Sequence, residues 1–148
     1  MELNIYLAGE IHSNWRDEII QGIKSHQLPI TCYAPITDHD ASDNVGGKIL
    51  GKEDKAFWKD HKAAKINSLK IKSGIEKADV VIVKFGGNYR QWNAAFDAGY
   101  AIAKGKSLIT IHPEDLTHAL KEIDAAAKAT TENTDQVIEI LRYITQGQ

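Results

Sequence analysis

Asp97 stands in the run Ala95-Phe96-Asp97-Ala98-Gly99, where an ionised carboxylate loses hydration unless something compensates it. Such a group is either hydrogen-bonded structure or an acid with a functional task. Asn93 lies four residues before it and Tyr100 three after, so on a helix the three share one stripe that can meet a polar ligand. A second carboxylate, Glu10, directly follows Gly9 and precedes His12, Ser13, Asn14 and Arg16. Backbone amides opening a helix there offer an anion site for phosphate or carboxylate. Tyr89, Arg90, Gln91 and Trp92 place rings, a guanidinium and an amide just ahead of the Asp97 stripe, a combination suited to a planar base or a sugar.

Other clusters say less. Asp38-His39-Asp40 with His61 lacks HExxH, paired CxxC or facial-triad spacing, so a solvated polar loop is expected and no metal. Neither GxGxxG nor GxxxxGK[ST] occurs, and no cofactor is expected. Cys32 reads as a small buried hydrophobe.

The elements that must position these groups follow from periodicity. The run Leu3 to Ala8 reads as a buried strand ended by Gly9, and Trp15, Ile19, Ile20 and Ile23 predict a helix to about Ser25, capped by Ser13 or Asn14. Ile30 to Ala34 is a second strand, bounded by Pro29 and Pro35. Residues 36 to 53 have no sustained period and read as a long loop. Helical pattern returns at Lys55 to Ala64 and again at Ser68 to Lys77. Val80 to Val83, apolar on both faces, predicts a central parallel strand. A helix from about Gln91 to Lys104 ends at Gly105, and Ser107 to His112 gives a fourth strand. A short helix at Leu116 to Ile123, a stretch from Ala125 to Thr131 that alanine favours as helix continuation and the architecture as a fifth edge strand, taken here as the strand, and a final helix capped by Thr134 complete the chain.

Strands alternating with helices imply an α/β sandwich: five parallel strands in the order 2-1-3-4-5 with helices on both faces. In that order the connections of strands one and three diverge, and the crevice at their carboxyl ends binds ligands. Gly9 to Arg16 and Phe85 to Asp97 face it.

The 148 residues, 43% apolar and 26% charged, fit a single domain at 1–148. A formal charge of −2 is the wrong sign for a dedicated phosphate-backbone binder, so no nucleic-acid partner is expected. One cysteine, no long apolar window and no basic leader at Met1 to Asn4 lead to the expectation of a cytoplasmic protein with no membrane contact.

The segments IYLAGEIHSNWRDEI at 5 to 19, ADVVIVKFGGNYRQWNAAFDAGYAIAKGKSLI at 78 to 109, HALKEIDAAAKA at 118 to 129 and QVIEILRYI at 136 to 144 resemble the YtoQ family over essentially the whole chain. More remotely the chain resembles the nucleoside 2-deoxyribosyltransferase superfamily. That resemblance implies a flavodoxin-like fold, a homodimer or higher homo-oligomer with sites near subunit interfaces, a small-molecule nucleoside or nucleotide as ligand, and a carboxylate nucleophile at Asp97 of FDAGYA. It also implies that Tyr6, Gly9 and residues 10 to 16 contact the sugar and, in nucleotide-cleaving members, the 5′-phosphate. Lys70, Ile71 and Lys72 stand where the superfamily carries an assisting acid, and Glu10 replaces a proline or serine type residue.

Asp97 and Glu10 are therefore expected as a working pair in cleaving or transferring an N-glycosidic bond. Tyr6, Gly9, His12, Ser13, Asn14, Arg16, Tyr89, Arg90, Trp92 and Asn93 are the expected ligand contacts. The competing expectation is a non-catalytic nucleotide or sugar-phosphate binding protein that uses the same crevice.

Overall fold

Alternating side chains of the strands divide between two cores. In the computed structural model, which describes residues 1–88 and 90–147, Ile5 and Leu7 of β1 (Leu3–Gly9) face one way with Val80 and Ile82 of β3 (Val80–Lys84). Tyr6 and Ala8 face the other way with Val81 and Val83. This is the period of two that a pleated strand imposes, and burial on both faces explains the unbroken apolar run in β3. With β2 (Ile30–Tyr33), β4 (Ser107–Ile111) and β5 (Ala129–Thr131) the strands form one parallel sheet in the order β2-β1-β3-β4-β5. The expected architecture is present.

The first core is covered by α1 (Trp15–Ser25) and α6 (Thr134–Gln146), through Trp15, Ile19, Val137 and Leu141. Full burial of side chains this large stabilises by about 1.5–3 kcal/mol each before entropy is counted. The second core is covered by α3 (Ala56–Lys77) and α4 (Trp92–Ala103), with Ile75, Ala94, Ala98 and Ala101 buried. The alanines let α4 lie close on the sheet. Leu120, just before α5 (Lys121–Ala126), joins the same core.

Three expectations about elements are corrected. The stretch expected as a loop contains α2 (His39–Leu50), capped by the Asp38 carboxylate, which accepts from the Ala41 amide at 2.8 Å. Its one buried residue is Gly46, whose missing Cβ leaves room for the α3 backbone at Lys62 and Ala63, so no apolar stripe announces it. The two helices expected between 55 and 77 are one helix, α3. Finally, α6 is capped by Asn133 rather than Thr134: Asn133 accepts from the Gln136 amide at 3.0 Å, while the Thr134 hydroxyl donates to Glu18 at 2.7 Å. No helix is long and apolar enough to cross a membrane among the described residues.

Candidate active site

The connections that leave the carboxyl ends of β1 and β3 lead to opposite sides of the sheet, as expected, and Gly9 makes the turn possible. Its φ of +114° and the Lys84 backbone against its α-carbon leave no room for a side chain. Arg16 locks the turn from beneath. It is 8% exposed, and its guanidinium donates to the carbonyls of Leu7, Gly9 and Glu10 at 3.0, 3.1 and 2.7 Å. Expected as a ligand contact, Arg16 instead spends its donors on the chain itself. Burial lowers its pKa to about 10, against the charges of Glu10, Tyr6 and Asp97.

Asp97, Asn93 and Tyr100 line one cavity of about 640 Å³, as their spacing on α4 requires. The opposite wall comes from the α2–α3 hairpin: Ser42 and Asp43 on α2, then Asp60, Ala63, Asn67, Ser68 and Lys72 on α3. Asn67 binds α3 to α2 by donating to the Ser42 carbonyl and hydroxyl at 3.1 and 2.9 Å. Tyr100 binds α4 to α3 by donating to Glu76 at 2.7 Å. A cavity of this size, with polar groups set among apolar surface, suits a polar small molecule.

The electrostatics single out Asp97. Burial raises its carboxyl to about 6, with Arg16 pulling the other way. Tyr6 lies in the same electrostatic neighbourhood: burial and then the Asp97 charge push its phenol well above the ordinary value. Its ring is fully buried against Gly74, and its hydroxyl has no hydrogen-bond partner among the described residues. Two acids share the cavity with Asp97. Asp43 pairs with His39 at 3.1 Å, whereas Asp60 makes no hydrogen bond or ion pair with any described residue.

Glu10 lines a different cavity of about 340 Å³, together with His12, Ser13, Lys84, Gln91, His112 and Glu132. Its carboxylate accepts from the amides of His12 and Ser13 at 2.6 and 3.1 Å and from the Ser13 hydroxyl. Burial would raise its pKa, but these hydrogen bonds outweigh it and hold the carboxyl below the usual range. The expected pairing of Glu10 with Asp97 across one crevice is therefore not what the cavities show. Nor does Ser13 or Asn14 cap α1 through its side chain: Asn14 holds the cap position without such a bond, and Ser13 turns to Glu10.

Arg90 and Trp92 line a third cavity, of about 480 Å³, with Gln91, Ala95, Leu116 and Ile123. There the guanidinium sits 5.6 Å over the indole, which is 71% exposed. Of Arg90, Trp92 and Asn93, Asn93 alone lines the Asp97 cavity, and Tyr89 lies outside the described residues. Among the described residues no group of three or more metal-ligating side chains converges.

Comparison with known proteins bears on this geometry. The family described as Nucleoside 2-deoxyribosyltransferase YtoQ matches residues 6–145. The chain belongs to the YtoQ family. YtoQ of Bacillus subtilis (strain 168), an uncharacterized protein, is 52% identical over 144 residues that cover 97% of each chain. Two solved structures are similar in fold to this YtoQ-family chain. One is a conserved protein from Enterococcus faecalis V583, 13% identical, with a TM-score of 0.64 over 97% of this chain and 99% of the other. The second is a 2-deoxyribosyltransferase from the psychrotolerant bacterium Bacillus psychrosaccharolyticus, 18% identical, with a TM-score of 0.55 over 91% and 90%.

Proposed function

We propose that the chain cleaves or transfers the N-glycosidic bond of a nucleoside or related ribosyl compound in the cavity between α4 and the α2–α3 hairpin. The observation that carries this reading is Asp97: a desolvated carboxylate on the wall of a nucleoside-sized cavity, flanked by Asn93 and Tyr100. The family description and the likeness to a 2-deoxyribosyltransferase support the class of reaction.

Glycosidic bonds yield to two carboxyl groups, one at the anomeric carbon and one handling the proton. Asp97 takes the first role, stabilising or trapping C1′ as the base departs. With its pKa near 6 it is mostly ionised at neutral pH, while weak hydration keeps it reactive. Asp60 takes the second role in place of Glu10, because it reaches the same cavity with its carboxylate uncommitted. Tyr6 lies close enough for its phenol to feel the Asp97 charge, and its buried hydroxyl makes no hydrogen bond to a described residue.

The test is incubation with a panel of nucleosides, with and without a second base as acceptor, and chromatography for free or exchanged base. Turnover by the wild type that is lost in Asp97→Ala is expected. Turnover indifferent to that change removes Asp97 from the chemistry. Self-association belongs to the same reading, and the layer that carries the cavity also carries the exposed apolar side chains Phe57, Trp58, Leu69, Trp92 and Phe96.

A further inference from the structure

A side-chain amide whose protons are taken up inside the protein can only accept from a ligand. Asn67, on the α3 wall of the Asp97 cavity, is such a group. Its Nδ2 donates to the Ser42 carbonyl at 3.1 Å and to the Ser42 hydroxyl at 2.9 Å. A backbone carbonyl has no proton to give, so the amide cannot stand the other way round. Both donors are turned to α2, and the Asn67 carbonyl oxygen accepts from no described residue. Ser68, next on the same wall, gives its proton to the Lys65 carbonyl at 2.7 Å and keeps only lone pairs for the cavity. Asp60, roughly two turns before Asn67, is committed to no described residue and when ionised is an acceptor only. Against these acceptors, the Ser42 hydroxyl that receives Asn67 keeps one proton it can give. The cation that lines the cavity stands apart, with the Lys72 ammonium 5.9 Å from the Tyr100 ring centroid.

We propose that this wall reads the edge of the base and selects an amino-bearing heterocycle over its oxo counterpart: the cytosine or adenine pattern over that of uracil or hypoxanthine. The proposal rests on the N-glycosidic reading, which sets the anomeric carbon at Asp97 on α4 and so turns the base to α3. An exocyclic amino group brings two N–H donors, one for the Asn67 oxygen and one for Ser68 or Asp60. The oxo group in the same place brings lone pairs against those oxygens. Neither Asn67 nor Ser68 can turn to donate without breaking a bond inside the protein. A ligand that sets acceptor against acceptor there loses about tenfold or more in affinity. Selectivity then depends on the contact between α2 and α3, because Ser42 holds the Asn67 amide in its one orientation.

The experiment is titration calorimetry with two matched pairs, cytidine against uridine and adenosine against inosine, each in ribo and deoxyribo form, with chromatography to show that the ligand stays intact. In the wild type the amino member of both pairs should bind about tenfold or more tighter. Asn67→Ala should bring each pair close to equality. Asp60→Asn, at an exposed position without fold contacts, puts N–H donors on the wall and should narrow the ratio by improving the oxo members. Equal affinities or an oxo preference in the wild type overturns the proposal, as does a folded Asn67→Ala with the wild-type ratios. Should Asn67→Ala not fold, unchanged ratios in Asp60→Asn overturn it instead. Binding and chemistry fail separately. Asp97-dependent base exchange that is indifferent to the pair overturns the selectivity alone, an amino preference without exchange of any nucleoside overturns the catalytic reading alone, and no binding of any of them overturns both.

Discussion

An acid raised by burial weakens the fold that raises it. Between its ordinary value of 3.8 and about 6, native Asp97 holds a proton that the unfolded chain releases. Wild-type stability therefore falls as pH rises through that window and stays reduced above it. Asp97→Asn removes the ionisation, so denaturant unfolding should show a gain of about 1–3 kcal/mol at pH 8 that shrinks towards pH 4. The same variant should lose turnover by roughly a thousandfold or more if Asp97 acts at C1′. Wild-type activity should rise with pH through about 6, as the carboxylate ionises. A variant both more stable and inactive is the signature of a site group; one less stable marks Asp97 as structure. This residue was legible in the sequence because a carboxylate among alanines is conspicuous. Glu10 was equally visible, but its hydrogen bonds to the amides two and three residues on are local geometry that residue types do not announce.

At the scale of elements, the sheet was readable from its apolar runs, and the helix that carries Asp97 from its three- and four-residue spacing. The far wall of the cavity was not. Asp60, Ala64, Asn67, Ile71 and Lys72 form one helical stripe, but its lining is small and polar, so it lacks the apolar period by which helices are recognised. Its partner α2 is hidden for the same reason, packing through a glycine. That packing is testable. A Cβ at Gly46 would overlap Lys62 and the Ala63 amide, so Gly46→Val should push α2 off α3 while the sheet and its two cores persist. Amide exchange should then quicken in 39–50 far more than in the strands, and KM should rise more than kcat falls, because Asp97 stays on its own helix. Uniform loss of protection would show instead that the hairpin is integral to the fold. A smaller effect belongs to α6, where Asn133→Ala should cost about 1 kcal/mol in denaturant unfolding by removing the cap.

The two faces of the whole molecule are unlike. Among the described residues, the helices α1 and α6 leave one large apolar side chain exposed, Tyr143, whereas the other layer exposes Ile49, Leu50, Phe57, Trp58, Leu69, Trp92, Phe96 and Ile102. Isolated exposed apolar residues need no explanation, but such an accumulation on one layer, with Phe57 stacked on His61 and Trp58 edge-on to both, is what a contact surface would present. Trp92, Phe96 and Gly99 recur along one exposed edge of α4, and nothing lies within 4 Å of where a Gly99 side chain would begin, which gives a second helix close access. A second copy meeting this edge would lie beside Asn93 and Asp97, and would finish the cavity that one chain leaves open between α4 and the hairpin. Sedimentation equilibrium should accordingly show a dimer or larger assembly at micromolar concentration, and Phe96→Glu should shift it towards monomer by burying an unpaired charge in the contact. Phe96 itself lines the cavity, so the ligand readout belongs to Trp92→Glu on the same edge, where nucleoside affinity should fall in parallel with assembly as the open side of the cavity loses its cover. A monomeric wild type at every concentration, or a Trp92→Glu monomer with undiminished affinity, would mean that one chain holds its ligand alone and that the apolar layer answers to a different partner.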